Sequence, residues 1–155
     1  MEICSNMKLD ETDIKILKIL KENAKLRVRE ISKLIRKPIT TVHNRIKKLT
    51  KEKVIKKYTV EFDDKKMGKD VDSFVLVAVN YGSLSKDNKT QEDLAKEIKK
   101  LSAVEEVVIV AGIKDIIIRV KEKDIECLND FLINKLRKIK GVSKTQTVII
   151  LKKIE

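Results

Sequence analysis

The chain has 155 residues, 42% hydrophobic and 39% charged, with a formal net charge of +12. That apolar share suits a globular chain, and the longest apolar runs, Phe74–Val79 and Val107–Ala111, fall well short of the ~18 residues of a membrane span. Two cysteines, Cys4 and Cys127, make no disulfide framework or metal spacing, and the single histidine, His43, has no partner for a histidine metal site or a catalytic triad.

Residues 1–8 read as a short disordered start. Asp10 can cap a first helix, with Asp13 three residues on. Ile14, Ile16, Leu17, Ile19 and Leu20 lie mostly on one face of that helix, and Asn23 ends it. A second helix runs from about Val28 to Ile35, with Ile31, Leu34 and Ile35 inward. Pro38 disfavours helical geometry at Lys37 and breaks the run. Thr40 or Thr41 can then cap a third helix, with Val42, Ile46 and Leu49 at core spacing. Two helices joined by a tight turn at Arg36–Ile39 make a helix-turn-helix arrangement. The outward positions of the third helix are Thr41, His43, Asn44, Arg45, Lys47, Lys48 and Lys51, residue types that contact phosphates and base edges.

Tyr58, Val60 and Phe62 alternate with polar residues, which reads as a strand. The charged segment 63–72, containing Gly68, separates a helical domain over residues 9–62 from a second domain over residues 73–155. The second domain reads as strand 73–81, polar loop 82–89, helix 90–101, strand 104–111, strand 116–121, helix 124–139 stopped by Gly141, and strand 142–151. This β-α-β-β-α-β order is the ferredoxin-like arrangement, so the fold class is α+β. Helices would cover one face of the sheet, and self-association is the simplest cover for the other.

Charge divides along the same boundary. Residues 1–62 hold 17 Lys/Arg against 8 Asp/Glu, and residues 63–155 hold 19 against 16. A basic excess concentrated in one part attracts polyanions, nucleic acid above all.

In order and spacing, several segments resemble the Lrp/AsnC, or feast/famine, family of transcriptional regulators. They are LDETDIKILKILKENAKLRVREI, ITTVHNRIKKLTKEKVIKKYTVEFD, Lys66–Gly68, VEEVVIVAGIKDIIIRVKEKD and KIKGVSKTQTVIIL. The resemblance covers Leu9 to Ile154. Two positions depart from the family pattern: Lys53 stands where glycine is frequent, and Lys114 lies in the loop Gly112–Asp115 where an aromatic residue is frequent. The resemblance implies that the second and third helices bind double-stranded DNA. It implies that the second domain takes a small molecule, usually an amino acid, at subunit interfaces. It also implies dimers paired through their sheets, with assembly into octamers and contact with the transcription machinery as further expectations.

On this reading Thr40 and Thr41 meet a phosphate or a thymine methyl, His43 and Asn44 meet base edges, and Lys47 and Lys48 neutralise phosphates. Arg45 suits guanine or phosphate, or turns to an acid within its own domain. In the second domain, backbone N–H groups around Gly112 can hold the carboxylate of an amino acid and Asp115 its ammonium, with hydroxyls from Thr145 and Thr147. The same loop also reads as a plain hairpin turn whose backbone Asp115 ties. No cofactor or metal is expected beyond the effector. With no glycine-rich phosphate loop, Cys–His pair or clefted carboxylate pair, no catalysis is expected either. The expected compartment is a reducing cytoplasm, with no export leader and no membrane partner. The alternative is a basic architectural DNA-binding protein without an effector.

Overall fold

The computed structural model describes residues 8–154. The disordered start expected over residues 1–8 lies, except for Lys8, outside the described residues, as does Cys4. The chain divides into two compact units, one ending at Glu61 and the other beginning at Phe62.

The first unit is three helices: α1 (Glu11–Glu22), α2 (Val28–Ile35) and α3 (Ile39–Lys51). Asp10 caps α1 by accepting from the Asp13 N–H at 2.9 Å, and Asp13 accepts in return from the Asp10 N–H at 3.2 Å. This reciprocal pair satisfies two of the free donors at a helix start. Ile16 from α1, Ile31 from α2, and Val42 and Leu49 from α3 are fully buried together. Each such side chain contributes about 2 kcal/mol relative to exposure. Ile14 and Leu34, expected on inward faces, are instead exposed at 44% and 63%. In both helices the neighbouring positions, 16 and 31, already fill the small core.

The expected threonine cap of α3 is not formed. Pro38 occupies the cap position without a side-chain hydrogen bond, and Thr40 and Thr41 lie inside the first turn. Proline's preset φ, −57° here, starts the helix two or three residues earlier than a hydroxyl would. The turn before it is tied by Ser32, whose hydroxyl donates to the Lys37 carbonyl at 2.6 Å. The strand expected over Tyr58–Phe62 is absent too. The segment pairs with no other strand, and Tyr58, Val60 and Phe62 are 53%, 69% and 62% exposed. Alternation makes a strand only when a ladder partner is present.

The second unit carries β1 (Val71–Val79), α4 (Tyr81–Lys86), α5 (Gln91–Lys99), β2 (Val104–Ile109), β3 (Ile116–Glu122), α6 (Ile125–Asp130) and β4 (Val142–Ile149). The antiparallel sheet has the order β2-β3-β1-β4, the ferredoxin-like topology. The short helix α4 replaces the polar loop expected there; Asn80 caps it through the Ser83 N–H. Helical winding continues past α6 through a π turn (Phe131–Lys135) and a 3₁₀ turn (Leu136–Lys138). Phe131 and Leu136 are both fully buried. A five-residue spacing cannot bring both to one face of a regular helix, and the wider π turn does so. Ile125, at the start of α6, is 55% exposed. Gly141 lies beyond the helix end at Ile139. Its φ is +101°, and a Cβ there would come within 2.5 Å of Leu84, so glycine is demanded by packing as well as conformation.

The helices cover one face of this sheet. Val75, Val77, Ile116, Ile118 and Val120 pack there against Leu84, Leu94, Ile98, Leu128 and Phe131. Alternate residues turn to the other face, where Phe74, Val108 and Val148 are 37%, 43% and 47% exposed. Arg119 on that face forks onto Asp72 at 3.0 and 2.6 Å, and Lys153 joins at 2.9 Å. Burial pushes the Asp72 carboxyl up, but these hydrogen bonds outweigh it and hold the pKa at about 2.

Candidate functional site

The first candidate surface is built on α3. Val42 and Leu49 anchor one side of the helix, which leaves the opposite side to solvent. Thr40, His43, Asn44, Lys47, Lys48 and Lys51 are all exposed there, and Thr41 is half-buried. α3 contains no acidic residue. Its outer face is therefore a row of donors and cations with no internal neutralisation, mounted on a rigid element.

Arg45 differs from its neighbours. Its guanidinium pairs with Asp10 and lies 3.1 Å from Asp13 Oδ2. Of the options the sequence left open, the structure forms the internal acid pair. Asp13 is buried and Asp10 caps α1, so Arg45 fastens α3 to the start of α1. The Asp13 N–H, opposed by burial and helped by Arg45, holds the Asp10 carboxyl below its ordinary range. The Arg45 guanidinium is pushed up by the hydrogen bond to Asp10 and the neighbouring Asp13 charge.

The second candidate surface is the loop between β2 and β3. Gly112 and Asp115 both sit in it. Asp115 Oδ2 accepts from the Val79 N–H and Oδ1 from the Tyr81 hydroxyl, each at 2.8 Å. Its N–H donates to the Val77 carbonyl at 3.1 Å, and its carbonyl accepts from Val110 N–H at 2.9 Å and Gln91 Nε2 at 3.0 Å. One residue thus ties the hairpin to β1, to the start of α4 and to α5. The hydrogen bond to Asp115 raises the Tyr81 phenol. By contrast, among the described residues the N–H groups of Gly112, Ile113 and Lys114 donate to no backbone carbonyl. Ile113 is 98% exposed at the tip.

Thr145 and Thr147 do not join this loop. They stand on the edge strand β4, opposite Val77 and Val75 of β1, on the helix-covered side. Thr145 is two strands from Ile116, about 10 Å. Its hydroxyl accepts from Arg137 Nε at 3.0 Å. Sequence reasoning missed Tyr81 and Gln91 as partners of the loop; an Asn–Tyr–Gly–Ser run capped at Asn80 was the available signal, and it reads as the end of strand 73–81 and the start of the polar loop 82–89. Among the described residues no three His, Cys, Asp or Glu side chains come together to hold a metal ion, and no helix is long and apolar enough to cross a membrane.

These two surfaces coincide with two known domains. Residues 9–56 match a winged helix-turn-helix DNA-binding domain, and residues 74–155 match the Lrp/AsnC ligand binding domain. An uncharacterized HTH-type transcriptional regulator of Pyrococcus furiosus is 40% identical over 141 residues, 91% of each chain. HTH-type transcriptional regulator FL11 of Pyrococcus horikoshii is 38% identical over 144 residues, 93% of this chain and 90% of that one. Among solved structures, LrpC of B. subtilis superposes with a TM-score of 0.82 at 30% identity, covering 96% of this chain and 99% of that one. A regulator from Neisseria meningitidis, solved as its L-Met complex, shares the fold with a TM-score of 0.87 at 24% identity, covering 96% and 93%. The molecule is a DNA-binding transcriptional regulator with a ligand-binding domain. It belongs to the Lrp/AsnC family.

Proposed function

We propose that the chain represses or activates transcription by placing α3 in the major groove of an operator, with an amino acid tuning its activity or assembly through the second unit. The observation that carries the first half is the acid-free, exposed row Thr40, His43, Asn44, Lys47 and Lys48 on one rigid helix. Asn44 reads adenine, His43 and the threonines take nearby base edges or phosphates, and Lys47 and Lys48 hold phosphates. Arg45 is a positioning residue that sets α3 on α1.

For the effector, the free N–H groups of Gly112, Ile113 and Lys114 suit a carboxylate. Asp115 shapes that loop by accepting from Val79 and Tyr81, and each of its carboxylate oxygens keeps a second lone pair for the ammonium. Thr145 and Thr147 stand too far along the sheet to complete the same site. The Neisseria regulator's L-Met complex makes methionine the first ligand to try. Phe74, Val108 and Val148 on the open sheet face support a homodimer built face to face, and octamers extend that reading. The cytoplasm is the compartment this role requires.

Selection of bound duplexes from random DNA at about 0.15 M salt tests the proposal, because non-specific phosphate binding is weakened there. The expected result is a dyad-symmetric motif with half-sites about one helical turn apart. Retention without any motif favours the architectural reading. Selection with and without pooled amino acids, read by affinity and by mass, tests the effector.

A further inference from the structure

Three non-glycine residues have positive φ: Arg36 at 53°, Lys53 at 55° and Asn88 at 50°. Asparagine is at home in that region, because its short amide can bond locally. A long cation has no such compensation, and glycine would occupy the position without the Cβ clash. The two cations bracket α3, one on each side.

Arg36 closes α2. Its backbone does so without help from the side chain, since its N–H donates to the Lys33 and Ser32 carbonyls. Among the described residues the guanidinium enters no ion pair or side-chain hydrogen bond. It borders a shallow hollow lined by Lys15, Lys18, Ile19, Leu34 and Ile35, which holds cations and no acid. Glu11 pairs with Lys15 and also feels the charge of Lys37. Arg36 therefore sits at a strained backbone position, among like charges, unpaired and exposed. It stands three residues before α3, at the end of the helix that crosses the DNA backbone when a recognition helix enters a groove.

We propose that Arg36 is a phosphate contact of the DNA-bound protein, a cation kept where glycine would fold better because a polyanion meets it there. The assignment rests on the DNA-binding reading of α3. The competing role for its charge is to complement the C-terminal end of the α2 dipole. The two roles predict opposite stability changes.

The experiment uses the full chain and a random-sequence duplex, with Arg36→Gly and the charge-keeping Arg36→Lys. Arg36→Gly raises Tm by about 4 °C through relief of the left-handed strain. It weakens every duplex about fivefold at 0.15 M salt and flattens the slope of log K against log salt by about 0.9, the signature of one lost phosphate contact. Arg36→Lys keeps the slope. Arg36→Asn, also tolerant of positive φ, repeats the loss without glycine's flexibility. If Arg36→Gly and Arg36→Asn bind with the wild-type slope and affinity, or if Arg36→Gly lowers Tm, the proposal is overturned and Arg36 is a helix cap. A wild-type chain that holds no duplex even at low salt overturns the reading of α3 itself, a result distinct from equal slopes.

Discussion

α3 and the β2–β3 loop both carry polar residues at the places where a ligand would be met, yet they use them in opposite ways. On α3 the chain makes no demand on Asn44, Lys47 or Lys48, and they stay exposed. In the loop the chain makes five demands on Asp115, through both carboxylate oxygens, its N–H and its carbonyl twice. A helix supplies its own backbone hydrogen bonds, so its outer side chains are free for a partner. A hairpin loop lacks that internal supply and recruits side chains to satisfy its backbone. Arg45 and Asp115 show that a charged residue in a motif is as readily a brace as a contact. Which it is depends on acids or donors more than 30 residues away in sequence, Asp13 for Arg45 and Val79 for Asp115.

The contrast is broken or sharpened most strongly at Asp115. Asp115→Ala removes two charge-assisted hydrogen bonds and strands the Val79 N–H, so urea unfolding of the second unit should lose about 2 to 3 kcal/mol. Stability unchanged from wild type would mean the loop does not depend on this knot. At α3 the opposite holds. Asn44→Ala should leave Tm unchanged and cost about 1.5 kcal/mol on the selected operator relative to a duplex with the read base changed. Lys48→Ala should weaken both duplexes alike and reduce the salt slope by about 1. Identical behaviour of the two variants on every duplex would remove base reading from Asn44.

The smallest effect is at Arg45. Arg45→Gln should lower the Tm of the first unit at neutral pH, with little change in salt slope. The Asp10 carboxyl is depressed in the folded state, so the stability it lends is present above its ordinary value of 3.8 and fades as pH falls through its lower folded value. The Tm gap between wild type and Arg45→Gln should therefore narrow in acid, which a Tm series from pH 7 to pH 2 measures. A gap constant across that range would detach Arg45 from Asp10.

Most of the fold was legible because periodicity and punctuation are local. Asp10 with Asp13, Pro38, and the spacing of Ile31, Val42 and Leu49 placed three helices, and alternating apolar runs placed four strands in the ferredoxin-like order. What failed was what depends on a distant partner. Tyr58–Phe62 has the rhythm of a strand, but no ladder forms on it. The run after Asn80 reads as a strand end and a polar loop, but an asparagine cap and the packing of Leu84 make it helical. The winding after Phe131 widens because Leu136 must also reach the core. The site followed the same rule. The outward residues of α3 could be named from helical geometry, whereas the inward use of Arg45 and Asp115, and the separation of Thr145 and Thr147 from the loop, required the tertiary fold.

The acid-free face of α3 has a consequence in time as well as in affinity. With nothing on the helix to repel phosphates, contact with any stretch of duplex is attractive, and that attraction does not depend on sequence. On the proposed docking of α3, the regulator is held on DNA of any sequence between visits to its operator and reaches it by short slides and hops along DNA. Ionic strength then sets the length of each slide, so a change in intracellular salt retunes how quickly the gene responds without altering a single base contact.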